Sequence, residues 1–246
     1  MTNNSIRLFE VGGSIRDELM GNPNPLDRDF CAESPGGWEA LSAWCHDNMQ
    51  KVFLVTPEFF TVRGFLKGVA IPIDVVMCRK DGASSDGRHP DEVKPGTLLD
   101  DLSRRDFTVN TMAREVDPST LRPIGDIIDP FKARADLGMR RLVSVGNAQK
   151  RFDEDNLRLI RAVRFMITKG FVPDSPLERM IADPENWKKM MGSVSIDRVR
   201  GELHKALTFS TPATLRVFSM FVPVVAFDTL FDDTGLWLKP TLEKQR

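Results

Sequence analysis

The sequence predicts an α+β fold in which strands dominate the first half of the chain and helices the second. Short apolar runs bounded by turn residues recur up to about residue 79, whereas from about Asp153 onward apolar residues recur at helical spacing. The 246 residues are enough for one large domain or two small ones, each with a buried core.

The individual elements follow from local pattern. The clearest strand is VAIPIDVVMCR, in which the side chains of alternate apolar residues share one face and Asp74 lies on the other. The segment from Lys80 to Thr97 is rich in Gly, Pro, Ser and Asp, which predicts a loop. The remaining predicted strands are 6–11, 27–32, 52–56 and 59–66, and the predicted helices of this half are 14–20, ended by Gly21, and 38–49.

Composition indicates a cytoplasmic protein. The N-terminal MTNNSIR lacks the apolar core of a signal peptide, and no apolar run approaches the roughly 20 residues of a membrane span. Cys31, Cys45 and Cys78 are an odd number in no metal-ligand spacing, which favours a reducing compartment. The net charge of -1 excludes a global attraction to nucleic acid, so any such binding needs a local basic patch.

A diglycine between a strand and a helix is the first candidate binding feature. Gly12 and Gly13 let the backbone approach a ligand closely, and Arg16 adds a charged donor for phosphate. The alternative is a tight turn followed by a surface arginine.

The stretch DRDF places two acids on one face of a predicted strand. Asp27 and Asp29 point the same way, and hard cations such as Mg²⁺ prefer carboxylate oxygens. With Asp74 from another strand they would form a two-metal site for phosphoryl or nucleotidyl transfer. The alternative is that these are exposed strand residues.

Two further stretches carry several charged residues in segments with predicted regular structure. In DLSRRDFTVN, Arg104 and Arg105 are candidates for holding a triphosphate and Asp106 and Asn110 for bonding a ribose, unless they form a surface charge cluster. In EDNLRLIRAVRF, residues 154–165 predict a helix with one apolar side and an opposite side carrying a carboxylate and three arginines, namely Asp155, Arg158, Arg161 and Arg164.

The arginines of that helix belong to a locally basic stretch. From Lys132 to Lys169 there are ten Lys and Arg residues against four Asp and Glu residues. The alternative is that the arginines only pair with Glu154 and Asp155 along the helix.

Taken in order, these segments resemble the class II CCA-adding enzymes and the bacterial poly(A) polymerases, of the polymerase-β-like nucleotidyltransferase superfamily. The matching segments run from about residue 10 to residue 207 and are VGGSIRDELMG, DRDF, DGRHPDEV, DDLSRRDFTVNTMA, IIDPFKARADL, EDNLRLIRAVRF and SIDRVRGELHKAL. The resemblance implies a nucleotidyltransferase head at 1–145, followed by a helical neck and partial body at 146–246, with one or two body helices in 211–235.

The resemblance also implies roles for the candidate residues. It implies catalytic carboxylates at Asp27, Asp29 and Asp74, with Mg²⁺ on Asp27 and Asp29. Nucleotide contacts are implied at Gly12, Gly13, Arg16, Arg105, Asp106, Asn110, Asp155, Arg158, Arg161 and Arg164.

The function implied is template-independent addition or repair of the 3′-terminal CCA of tRNA from CTP and ATP, with no membrane partner. Poly(A) polymerase activity, or addition of only C or only A, shares the same motifs. A non-catalytic RNA- or nucleotide-binding module and transfer of a nucleotide to a small molecule or protein are the remaining alternatives.

Overall fold

The computed structural model describes residues 6–23, 28–82 and 93–231. Asp27 and most of the segment DGRHPDEV lie outside these residues. The described residues form two compact units, one that extends to Gly138 and one that begins at Met139. The predicted boundary between residues 145 and 146 stays a prediction.

The first unit is built on a seven-stranded mixed sheet. Its strand order is β3-β4-β5-β2-β1-β8-β9, with β2 and β5 parallel and every other neighbouring pair antiparallel. A separate hairpin joins β6 to β7. The strands are β1 (Arg7–Val11), β2 (Asp29–Glu33), β3 (Met49–Thr56), β4 (Thr61–Leu66), β5 (Pro72–Met77), β6 (Arg79–Asp81), β7 (Val93–Pro95), β8 (Ala113–Val116) and β9 (Pro123–Ile128).

Helices cover both faces of this sheet. Alternation along the strands sends Phe30 and Val75 to a core shared with Leu41, and sends Phe9 and Cys31 to a second core with α3. The helices are α1 (Gly13–Leu19), α2 (Gly37–Asn48), α3 (Leu98–Ser103) and α4 (Ala133–Gly138), with 3₁₀ turns at Pro57–Phe59 and Thr108–Asn110.

The second unit is mainly helical. Its largest fully buried side chain is Trp187, whose indole N–H donates to the carbonyl of Ile181 at 2.8 Å and whose ring packs near Phe218. Its elements are β10 (Arg141–Leu142), α5 (Ala148–Glu154), α6 (Arg158–Lys169), β11 (Val172–Pro173), α7 (Ser175–Ala182), α8 (Pro184–Ser193), α9 (Ile196–Phe209), α10 (Thr211–Phe221) and α11 (Val224–Phe231).

Most predicted elements are confirmed. One or two helices were predicted in 211–235, and the described residues of this segment form α10 and α11. The loop predicted for 80–97 is partly wrong, because β6 and β7 pair antiparallel with Arg79 opposite Pro95. The strand predicted at 27–32 begins at Asp29 in the described residues. The predicted all-helical second part also contains the short parallel pair of β10 and β11.

The helix predicted at 154–165 is also corrected. Glu154 ends α5 and α6 begins only at Arg158. Asp155 has an extended backbone, and its carboxylate accepts a hydrogen bond from the Leu157 N–H at 3.2 Å, which competes with helical pairing.

Two predictions from composition can be compared with the fold. Cys31, Cys45 and Cys78 are buried free thiols. Among the described helices, none combines the length and apolar character that a membrane span requires.

Candidate functional site

Charged residues form a row across three neighbouring strands of the first unit. Asp29 on β2 lies directly opposite Asp74 on β5, and Asp74 lies directly opposite Arg63 on β4. Arg63 donates from Nε and Nη2 to the two carboxylate oxygens of Asp74, each at 2.5 Å.

The diglycine turn lies at the same end of the sheet as Asp29. Val11, the last residue of β1, pairs with Asp29, so Gly12 follows directly beside the acid. Gly12 has a φ of 78°, and a Cβ atom built there would lie 2.6 Å from Nη1 of Arg105. The backbone conformation therefore favours glycine, and the absence of a side chain lets the end of Arg105 lie against the turn.

Arg16 is part of a buried polar network and not a surface residue. It is only 6% exposed and donates from Nε and Nη2 to Asp17 at 2.8 and 2.9 Å. Its Nη1 donates to the side-chain oxygen of Asn110, whose amide nitrogen in turn donates to Asp106 at 2.8 Å. The structure thus brings Arg16, Asn110 and Asp106 together, and their role in nucleotide binding stays a prediction.

Asp101 holds the two arginines that were predicted to bind a triphosphate. Its side chain is fully buried and accepts hydrogen bonds from Arg104 at 2.5 Å and from Arg105 at 3.0 Å. Burial alone would raise the pKa of the Asp101 carboxyl, but the charges of Arg104 and Arg105 outweigh it and hold that pKa below its ordinary value. The alternative of a surface charge cluster is wrong, because the charges converge on a buried anion.

Arg28, between the two acids of DRDF, points to the opposite face of the sheet. It donates to Glu10 at 2.8 and 3.0 Å and to the carbonyl of Leu121 at 2.9 Å. Burial opposes ionisation of Glu10, but the hydrogen bonds and charge of Arg28, with help from Arg114, hold the pKa of this carboxyl below its ordinary value. The ion pair fixes the backbone immediately before Asp29.

In the second unit, Asp155 and Arg158 flank the start of α6. The carboxylate of Asp155 accepts a hydrogen bond from Arg198 on α9 at 3.3 Å. Arg158 donates to Glu154 at 3.2 Å, which is the pairing along the chain that the sequence left open, and to the carbonyl of Arg151 at 2.9 Å.

Arg161 and Arg164 share a buried anion on α9. Glu202 is 4% exposed, forms an ion pair with Arg164, lies 3.9 Å from Arg161 and accepts from Lys205 at 3.0 Å. Burial opposes ionisation, but the charges of Arg164 and Arg161 lower the pKa of the Glu202 carboxyl. The sequence left open a pairing of the arginines with Glu154 and Asp155, and the structure shows Arg161 and Arg164 paired between helices with Glu202.

Sequence reasoning missed Arg63, Asp101, Glu202 and Arg198. For Asp101 a local signal existed, because it lies three and four residues before Arg104 and Arg105. Arg63 is 11 residues from Asp74 and Glu202 is 38 residues from Arg164, and each pair meets only through strand pairing or helix packing. The roles predicted for the individual site residues stay predictions.

The chain is similar to proteins of one kind. The family model described as the poly A polymerase head domain matches residues 8–143. The CCA-adding enzyme of Lactobacillus gasseri is 35% identical over 233 residues, which are 93% of this chain and 50% of that protein. The CCA-adding enzyme of Geobacillus stearothermophilus is 35% identical over 203 residues, which are 81% of this chain and 45% of that protein.

Solved structures give the same result. A Bacillus stearothermophilus CCA-adding enzyme in complex with CTP superposes with a TM-score of 0.71 at 30% identity, over 90% of this chain and 51% of that chain. A Thermotoga maritima CCA-adding enzyme complexed with tRNA superposes with a TM-score of 0.70 at 26% identity, over 98% of this chain and 51% of that chain. The chain spans about half the length of the curated relatives it matches.

The family model covers more than half of the chain and includes the sheet that carries Asp29, Asp74 and the diglycine turn. The chain therefore belongs to the poly A polymerase head domain family.

Proposed function

We propose that this chain is a template-independent RNA nucleotidyltransferase that adds or repairs the 3′-terminal CCA of tRNA. CTP and ATP are its substrates and pyrophosphate is released. The observation that carries the proposal is the direct pairing of Asp29 with Asp74, next to a glycine turn and to arginines held by a buried acid. The names of the relatives support the choice of tRNA as the RNA and of CCA as the product.

The donor chemistry of this site fits Mg²⁺. Two carboxylates on directly opposed residues repel each other, so a cation beside them is favourable, and oxygen donors are the ligands that Mg²⁺ prefers. Asp27 and Asp29 are the proposed metal ligands, with Asp74 as the third catalytic carboxylate. The bound metal would activate the primer 3′ hydroxyl toward the α-phosphate and stabilise the leaving pyrophosphate.

The remaining side chains of the first unit hold the nucleotide in this proposal. Arg105 and Arg16 offer guanidinium groups to the triphosphate, and the absence of a side chain at Gly12 and Gly13 lets the phosphates approach the backbone. Asp106 and Asn110 lie next to Arg16 in the hydrogen-bond network and are proposed to bond the ribose.

Base choice is assigned to Asp155 and Arg158, with Arg161 and Arg164 as further contacts to nucleotide or primer. Cytosine and adenine each present an amino donor beside a ring-nitrogen acceptor, which match a carboxylate and a guanidinium respectively. Guanine and uracil present the reverse order and would leave buried groups unpaired, at a cost of about 1–3 kcal/mol each.

Polyadenylation is the second candidate, because the matching family model is named for poly A polymerases. The test is to incubate the protein and Mg²⁺ with tRNA lacking its terminal CCA and to supply each labelled nucleoside triphosphate in turn. Incorporation of C and then A supports CCA addition, a long tail of A alone supports polyadenylation, and no incorporation into any RNA favours a non-catalytic binding module.

A variant tests the carboxylates themselves. Asp27→Ala combined with Asp29→Ala is expected to abolish turnover while circular dichroism shows a folded protein. Asp126→Asn, an exposed acid on β9, is the control and is expected to keep full turnover. Normal turnover in the double variant would contradict the site assignment.

A further inference from the structure

In the row of Arg63, Asp74 and Asp29, two carboxylates lie beside one guanidinium. Like charges directly opposite each other destabilise a sheet, and here two carboxylates face each other on strands about 4.8 Å apart. Arg63 is the cation next in the row, and it takes both oxygens of Asp74 in a bidentate pair.

The ion pair between Arg63 and Asp74 can open and close at little cost in stability. The Arg63 side chain is 54% exposed and that of Asp74 is 28% exposed, so water can replace each partner. Exposed ion pairs of this kind contribute little to stability. A divalent cation on the same carboxylate has twice the charge of a guanidinium and competes for the same oxygen lone pairs.

We propose that Arg63 is the counter-ion of the Asp74 and Asp29 carboxylates when no metal is bound. Its guanidinium neutralises Asp74 and Asp29 while the metal is absent, and it releases Asp74 when a divalent cation binds. The inference rests on the proposed function, which places the metal on Asp27 and Asp29, and it adds Asp74 as a carboxylate that the metal also attracts. Arg63 is thereby a competitor that sets the metal affinity of the site and not a metal ligand or a catalytic residue.

The alternative is that the pair between Arg63 and Asp74 only stabilises the contact between two strands. Measurement of metal affinity distinguishes this alternative from competition with the metal. An exposed ion pair contributes at most a small free energy, and we take the upper value for the competition between Arg63 and the metal. Removal of the guanidinium is then expected to tighten metal binding by about fivefold. A purely structural pair would lower thermal stability without a change in metal affinity.

The experiment titrates the full chain with Mn²⁺, followed by electron paramagnetic resonance of the free ion and by isothermal calorimetry. Arg63→Gln is compared with Arg63→Lys, which keeps the charge, and with Arg7→Gln as the matched control. Arg7 is 51% exposed and pairs with Glu33 and Glu115 at the far end of β1, about 13 Å along the strand from the residue opposite Asp29. At physiological ionic strength that distance exceeds the screening length of about 8 Å.

Tighter Mn²⁺ binding by Arg63→Gln, with Arg63→Lys and Arg7→Gln close to the unmodified chain, supports the proposal. An affinity of Arg63→Gln equal to or weaker than that of the unmodified chain, when the latter binds Mn²⁺, overturns this inference alone. Absence of Mn²⁺ binding in every variant overturns the inference and the metal assignment together. If Arg63→Gln does not fold, Arg63→Met keeps the apolar stem and is titrated in the same way.

Discussion

Replacement of Asp101 by asparagine tests the claim that a buried acid holds the arginines of the site. The carboxylate accepts from Arg104 at 2.5 and 3.1 Å on one oxygen and from Arg105 at 3.0 Å on the other. Asparagine keeps one acceptor but turns an amide N–H₂ toward a guanidinium, and it leaves the positive charges without a counter-ion. Loss of one partner from a buried ion pair costs about 3–5 kcal/mol.

The expected value lies at the lower end of that range. Arg104 and Arg105 are 24% and 21% exposed, so water offsets part of the loss, and we expect about 3 kcal/mol. For a chain of this length the melting temperature is then expected to fall by about 6–12 °C. Because the pKa of Asp101 is lowered in the folded state, its contribution is full above the unfolded pKa and disappears as pH falls through the folded one.

The assay is urea unfolding followed by far-ultraviolet circular dichroism, at neutral pH and again below about pH 4, where an unfolded aspartate begins to protonate. Asp126→Asn makes the same chemical change at an exposed position and is expected to change stability by less than about 0.5 kcal/mol. Equal unfolding free energies for the two variants at neutral pH would refute the role of Asp101. So would a difference that does not shrink in acid.

Three further predictions follow from the same contacts. Gly12→Ala is expected to lower the free energy of unfolding by about 1–3 kcal/mol and to lower activity, because the alanine Cβ would lie 2.6 Å from Arg105 at a φ of 78°. Thermal unfolding measures the loss, and Gly125→Ala, whose Cβ meets open space, is the control that should leave stability unchanged. Glu202→Gln should destabilise the protein above about pH 4.5 and lose this effect in acid. The reason is that the pKa of Glu202 is lowered in the folded protein, so the stabilisation by this carboxylate disappears as pH falls. Urea unfolding at several pH values checks the prediction. Arg158→Ala should reduce the preference for CTP over UTP more than it weakens RNA binding, and an unchanged preference in single-nucleotide incorporation would count against base reading by this residue.

Much of the site was accessible from local pattern. Alternation along VAIPIDVVMCR separated Asp74 from the buried face, and the structure has Ile73, Val75 and Met77 buried with Asp74 on the other side. The diglycine predicted a close approach of the backbone to a ligand, which stays a prediction, and Gly12 has a φ of 78°, a conformation that favours glycine. The face of Asp74 could be predicted because period-two alternation is a property of a few consecutive residues.

Other features had no local signal. Asp155 was placed on a helix because apolar spacing continues through this region, but its side chain bonds the nearby backbone and separates α5 from α6. Arg161 and Arg164 suggested a solvated face, yet Glu202 on α9 draws them into an interface between helices.

Local pattern along the sequence was enough to predict most strands and helices, the apolar face of β5, and the segments that resemble nucleotidyltransferases. The folded chain alone shows that β5 lies between β2 and β4, and hence that Asp29, Asp74 and Arg63 stand in one row. The reason is that periodicity is a local property of the chain. Strand order and the burial of Asp101 and Glu202 instead depend on contacts between residues far apart in sequence. The free energies of those contacts cannot be inferred from any short segment of the chain.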